Sequence, residues 1–230
     1  MRRLIGFLGV LAILSLLGMV GDRVAAGIAA DRVEQELVRE GFRSPEVVIR
    51  RFPFLTQFVD GEYRDVVVSA AGLQVEGVRA ERVAATLRGV RVERINAPQE
   101  VRVRRLEARA TVPYSEVEQA ADVPTLEIGR ARGGQVRLTG EVEVLGETFT
   151  VAARGRIDAN GDRLRITATG FEVEGVGDLD EQLSSLLRRR FSLDYPIPGL
   201  PRGVRVRSVT PGATGFVVDV SGRNAVLRAP

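Results

Sequence analysis

The sequence predicts an α+β domain in which a strongly curved antiparallel β-sheet wraps around a long helix, with a second helix in the C-terminal half. Three observations predict it. Period-2 alternation of apolar and polar residues fills most of the chain after residue 60, the pattern of strands with one buried face. Glycines and charged pairs interrupt that alternation inside long strands, and strands that bulge repeatedly are strands that bend. Helical spacing is confined to one stretch near the N-terminus and another after residue 178.

Taken in order, the chain opens with Arg2 and Arg3, followed by an apolar run from Leu4 to Val20 that ends at Asp22 and Arg23. This is the pattern of an export signal, and its length lies between a long signal core and a minimal membrane span of about 20 residues. Residues 1–21 are therefore expected to be a signal peptide or a membrane anchor, and 22–230 a single domain outside the cytoplasmic membrane, in the periplasm or cell envelope. Val24, Ile28, Ala29, Val33, Leu37 and Val38 then recur at helical spacing, with Gly41 as the stop. The expectation is an amphipathic helix over Asp22 to Glu40, one face of which packs on the domain.

Strands follow over Tyr63 to Val75, Arg82 to Val92 and Val101 to Val112. In the third, the apolar phase slips across Arg104-Arg105, which predicts a bulge; Gly89 and Gly170 mark similar slips. The clearest alternation places Val136, Leu138, Gly140, Val142 and Val144 on one face. Phe149, Val151, Ala153, Gly155 and Ile157 continue it, and Leu164, Ile166 and Ala168 follow. Gly146-Glu147 and Asn160-Gly161 supply the tight connections of a three-stranded meander. Asp178-Leu179-Asp180-Glu181 reads as a capping box opening a helix with the stripe Leu183, Leu186, Leu187 and Phe191. A Pro-rich hinge over residues 195–201 leads to a closing hairpin, Val204 to Val209 and Phe216 to Ser221, turning at Pro211-Gly212.

Composition narrows the chemistry. All 33 basic residues are Arg, and the chain has no Lys, His, Cys or Trp. Ordinary Ser or Cys triads, Schiff bases, imidazole metal ligands, thiolate zinc sites and disulfides are excluded. A GC-rich genome encodes Arg readily, and a formal net charge of only +3 gives nucleic acid little to bind. Carboxylates, hydroxyls and Arg remain as reactive groups, and no catalytic residue, cofactor or metal is expected.

Four segments carry residues of possible chemistry. Asp158-Ala159-Asn160-Gly161-Asp162 resembles the start of a calcium loop, but its twelfth position is Thr169 in place of a bidentate Glu, and a hairpin turn accounts for it. Arg188 to Arg190 would suit an anionic group, yet basic residues favour the last turn of any helix. Asp178 with Glu181 offers a carboxylate pair, but without the aromatic platforms that accompany sugar sites, and the capping box explains both. Phe52-Pro53-Phe54-Leu55-Thr56-Gln57-Phe58 clusters aromatics outside any alternation, either as a plug at the sheet's end or as a membrane-touching or pocket-lining loop.

A concave sheet face lined by Val, Ile, Leu and Phe must be filled by helices, by other protein or by an apolar ligand. An acyl chain suits such a groove, since each buried CH₂ gains about 0.8 kcal/mol without a polar partner. The groove-lining candidates are Phe52, Phe54, Leu55, Val136, Leu138, Val142, Val144, Phe149, Val151, Ile157, Leu164, Ile166 and Phe171. An ordinary closed core is the plainer alternative.

Phe52-Pro53-Phe54-Leu55-Thr56-Gln57, with Gly61-Glu62-Tyr63 and the strand at Val66-Val67-Val68, resembles the LmeA-type family of exported actinobacterial proteins. The stretch from Ile197 to Val206, with Ser221-Gly222-Arg223-Asn224-Ala225-Val226-Leu227, is similar to that family's closing hairpin. The resemblance implies a tubular lipid-binding-like fold and phospholipid binding in the cell envelope, with no catalytic residue carried over; Arg202 departs from the family's usual apolar residue. The expected function is thus non-enzymatic binding, transfer or presentation of phospholipid or a related acyl-chain lipid at a membrane surface, with no nucleic-acid partner. The alternative is an envelope scaffold with a closed core.

Overall fold

In the computed structural model, which describes residues 2–75, 78–92, 100–119, 125–144, 147–173, 181–197 and 200–228, the alternating segments form two antiparallel sheets. The first contains β1 (Phe42–Arg43), β2 (Glu46–Arg50), β3 (Glu62–Val75), β4 (Val78–Val92), β5 (Glu100–Pro113), β11 (Arg202–Pro211) and β12 (Gly215–Arg228). Its order is β1-β3-β4-β5-β12-β11, with β2 also paired to β3. The second sheet runs β10-β9-β8-β7-β6, from β6 (Glu127–Arg130), β7 (Val136–Val144), β8 (Glu147–Asn160), β9 (Arg163–Val173) and β10 (Leu193–Pro196).

The expected single curved sheet around a helix is thus replaced by two sheets. The turn of the β8–β9 hairpin bridges them, Val206 N–H of β11 donating to Gly161 O at 2.9 Å, and the same turn is held to the end of β10 by Ile197 N–H donating to Asp162 O at 2.7 Å. Asn160 pairs with Arg163, so the turn residues are Gly161 and Asp162, one position later than Asn160-Gly161. Gly161 takes φ +70°, as a two-residue hairpin requires at its first central position.

Between the sheets lies one core. Val136, Leu138, Val151, Leu164 and Ile166 of the second sheet meet Val206, Val209, Phe216 and Val218 of the first. Two helices close its ends: α3 (Tyr114–Gln119) contributes Tyr114 and Val117, and α4 (Glu181–Phe191) contributes Leu187 and Phe191. Tyr114 stands edge-on to Phe216 at 4.9 Å between ring centroids and donates its hydroxyl to Gly212 O at 2.8 Å. The capping box expected at Asp178 to Glu181 lies outside the described residues except for Glu181, which starts α4. A second core sits farther along the first sheet, around Leu87, Val90, Val103, Leu106, Val204 and Ala225.

The long helix α1 (Arg2–Arg39) does not lie inside a sheet; its main contacts are β1, β2 and α2 (Phe54–Asp60) at the edge of the first sheet. Its packing face also differs from the apolar stripe expected of it. Met19, Val20, Val24, Ile28, Val33 and Val38 are exposed, whereas Asp22 and Ala30 are buried. Carboxylates decide the orientation: Asp22 accepts from two backbone N–H groups of α2, and Glu34 accepts from Val47 N–H of edge strand β2 at 2.7 Å. Buried backbone donors left without partners cost more than a few exposed apolar side chains. Gly41 ends the helix at φ +90°, where a Cβ would run into the Gln74 carbonyl.

The phase slip at Arg104-Arg105 extends across the first sheet, but without the bulge expected there, since the register of β5 with β4 and with β12 is continuous through it. On β5, Val103 and Leu106 are buried with Arg104 and Arg105 exposed between them; on β4, Leu87 and Val90 flank Arg88 and Gly89; on β12, Gly222 and Ala225 flank Arg223 and Asn224. Gly89 and Asn224 carry the left-handed backbone of the slip, at φ +64° and +50°. Because the strands slip together, Arg88 still pairs with Arg105, and Arg105 with Arg223. Gly170, at φ +64°, by contrast coincides with a true register shift between β8 and β9.

Candidate functional site

The aromatic segment after β2 folds into α2, a helix of seven residues held from both sides. Its first turn is capped from another element: Asp22 Oδ2 accepts from Phe54 N–H and Oδ1 from Leu55 N–H, both at 2.8 Å. A carboxylate at a helix N-terminus both satisfies free donors and complements the helix dipole. Inside, Gln57 binds its own segment, donating to Arg51 O at 2.7 Å and Pro53 O at 3.2 Å and accepting from Arg64 N–H at 2.9 Å. Phe54 is buried against Tyr63 and Phe58, with centroids 6.1 and 6.0 Å apart. Gly61 closes the helix in the left-handed conformation.

This fixed scaffold leaves apolar side chains outward. Phe52, Leu55, Phe58 and Val59 are exposed around α2, and Met19, Val20, Val24 and Ile28 are exposed on the adjoining stretch of α1. Most of the large exposed apolar side chains among the described residues belong to α1, α2 and the segment between them. Apolar surface gathered on two neighbouring helices in this way marks an interaction face. The charge at the root of the face is buried: Asp22 is spent on the α2 backbone and offers nothing to solvent.

The sequence-predicted groove residues divide into two groups. Phe52 and Leu55 belong to the exposed α1–α2 face, with Phe54 as its internal support. Val136, Leu138, Val151, Leu164 and Ile166 are buried in the core between the sheets, and Val142, Ile157 and Phe171 are half-buried against it. Phe149 is half-buried opposite Val142, and the Val144 side chain lies outside the described residues. Thus these residues do share one face, and in this structure α3, α4 and the first sheet cover that face.

Sequence reasoning missed Asp22 as a cap and did not single out Val59, and it took the α1 stripe of Val24, Ile28, Val33 and Val38, which is exposed, for the packing face. The spacing Leu55, Phe58, Val59 is a helical i, i+3, i+4 signal, but seven residues are too few for periodicity to stand out from a loop. Among the described residues no cluster of acidic side chains could hold a metal ion. In the expected export segment the side chains of residues 4–18 lie outside the described residues; among the described residues no helix is long and apolar enough to cross a membrane.

Residues 20–221 match a family model described as LmeA-like phospholipid-binding. No curated protein and no solved structure matches the chain.

Proposed function

The chain belongs to the LmeA-like phospholipid-binding family, and from that premise we propose that it binds phospholipid outside the cytoplasmic membrane, without catalysis, by docking the α1–α2 face on a membrane surface. The observation that carries this reading is the exposed set Phe52, Leu55, Phe58 and Val59, held on a helix whose N-terminus is locked by a buried carboxylate. Apolar side chains on a rigid support enter the headgroup and acyl boundary at no ordering cost beyond that of folding. Export rests on Arg2 and Arg3 before the run from Leu4 to Val20. Transfer or presentation of lipid follows from a docked domain that takes up a phospholipid and releases it elsewhere.

Docking places first contact at Phe52 and Leu55. For Val136, Leu138, Val151, Leu164 or Ile166 to touch an acyl chain, α4 or the first sheet has to move away from them, so in this reading they meet lipid only after the core has opened. Their complete burial also favours a second reading, in which the two sheets form a closed scaffold and the α1–α2 face receives a protein.

Native mass spectrometry of the purified protein, followed by lipid extraction, separates the two. Phospholipid retained in stoichiometric amount supports binding. Reproducible absence of lipid, with no uptake from liposomes, overturns it in favour of the scaffold.

A further inference from the structure

The aligned phase slips of β4, β5 and β12 run along a cleft on the first sheet. One cavity of about 560 Å³ is lined by Arg64, Arg88, Arg104, Arg105 and Arg223 against a single acid, Glu62. A neighbouring cavity of about 690 Å³ shares Arg105 and Arg223 and adds Arg205 and Arg207 against Glu107. In a chain whose 33 basic and 30 acidic residues nearly cancel, seven Arg against two Glu is a local excess that genome composition alone does not produce.

Pairing across the strands sharpens the point. Arg88, Arg105 and Arg223 are direct cross-strand partners on three successive strands, and like charges placed opposite one another are destabilising. Elsewhere on this sheet Arg109 meets Asp219 at 2.7 Å, and Arg102 meets Glu100 at 3.7 Å. Within the cleft, Arg104 meets Glu62 at 3.3 Å, and Arg207 faces Asp219, whose carboxyl is held below its usual range chiefly by Arg109. Arg88, Arg105, Arg205 and Arg223 form no ion pair with any described residue. Asp65, on β3 directly opposite Arg88, is the acid that begins the row, and its Oδ1 is buried without a hydrogen-bond partner. Gly89 suits its place through its left-handed backbone, φ +64°, which strains any residue with a Cβ.

Planar guanidinium groups converging from several strands suit a tetrahedral oxyanion, which accepts paired N–H donors from each. We propose that this cleft binds a phosphate ester, held mainly by Arg88, Arg105 and Arg223. Its source, resting on the family reading above, is the headgroup of the bound phospholipid. The cleft begins at Glu62 and Arg64, immediately after α2, so one segment carries both the apolar face and the first residues of the phosphate site.

The test uses the full chain and isothermal titration with two soluble probes, dihexanoyl phosphatidylglycerol and glycerol phosphate. The Arg105→Gln/Arg223→Gln double variant is expected to bind its phosphate probe at least thirtyfold more weakly, the loss of about 2 kcal/mol for two charge-assisted contacts. Its thermal midpoint should hold or rise, because the substitution relieves repulsion. The control is Arg137→Gln/Arg154→Gln, another exposed cross-strand Arg pair, on the second sheet. Weakening for the phospholipid probe assigns the site to headgroups, and weakening for glycerol phosphate alone assigns it to a soluble ester. Unchanged binding of both probes, or an equal loss in the control, overturns the site. Absence of lipid from the native protein defeats the lipid-binding reading but leaves the glycerol phosphate titration to decide the cleft.

Discussion

Replacing Leu55 and Val59 together by Ser tests the docking face without disturbing a core. Leu55 is 50% exposed and Val59 79%, so neither substitution opens a cavity. Full burial of such a side chain is worth about 1.5–3 kcal/mol. Scaling by the exposed fraction leaves about 1 kcal/mol for each residue to gain on entering a membrane. The double variant should therefore bind phosphatidylcholine vesicles about thirtyfold more weakly, from about 2 kcal/mol lost. Flotation of the chain from Gly21 onward reads this directly, since neutral vesicles minimise the charge contribution. Leu186→Ser, an equally exposed apolar residue on α4 against the second sheet, serves as the comparison and should change little. Equal vesicle binding by the double variant and the parent would refute the docking argument, as would an equal loss from Leu186→Ser.

Asp22→Ala should free α2 from α1, because it leaves the Phe54 and Leu55 donors without acceptors, at a cost of about 3 kcal/mol; Asp22→Asn, keeping one acceptor, should cost about 1 kcal/mol. Hydrogen exchange at those two amides reads the effect, and protection identical to the parent in both variants would remove Asp22 from its role. Val151→Asp buries an unpaired charge in the core between the sheets and should unfold the domain or cost several kcal/mol in urea titration, while Thr139→Asp on the opposite face should stay within about 0.5 kcal/mol. Val142→Asp, at a half-buried site, should fall between them. If Thr139→Asp were the most damaging, the strand register would be wrong.

The strands were legible in the sequence because a period of two fixes which side chains share a face, and long strands repeat it often enough to read. The number of sheets was not, because alternation marks a buried face without saying what buries it. Val136, Leu138 and Val151 read equally well as a groove for a lipid or as half of a closed core. The short elements β2, β6, β10 and α3 escaped notice, being four to six residues long. On α1 the apolar spacing pointed to the wrong face, since the orientation is set by Asp22 and Glu34, whose partners are backbone groups with no residue signature. The phase slip was readable at Gly89 and Arg104-Arg105. Its alignment with Asn224, which turns three separate slips into one cleft, depends on which strands pair, and that is settled only by the fold.

That alignment bears on the role of the apolar N-terminus. Helix α1 runs unbroken from Arg2 to Arg39, and Asp22 follows Val20 by two residues, about 3 Å along a helix axis. A run retained in the membrane as far as Val20 would hold Asp22, and with it the first turn of α2, at the depth of the headgroups. The α2 face would then be immersed by construction, and Leu55→Ser/Val59→Ser would scarcely alter attachment of the full chain. If the run is removed, α2 supplies most of the remaining apolar contact, and the same double variant loses its full thirtyfold. Comparing the variant's effect in the two forms with the N-terminus of the mature protein therefore distinguishes a tethered lipid-presenting domain from a free carrier: a strong effect in a chain that keeps its run would show that Val20 does not set the depth of α2.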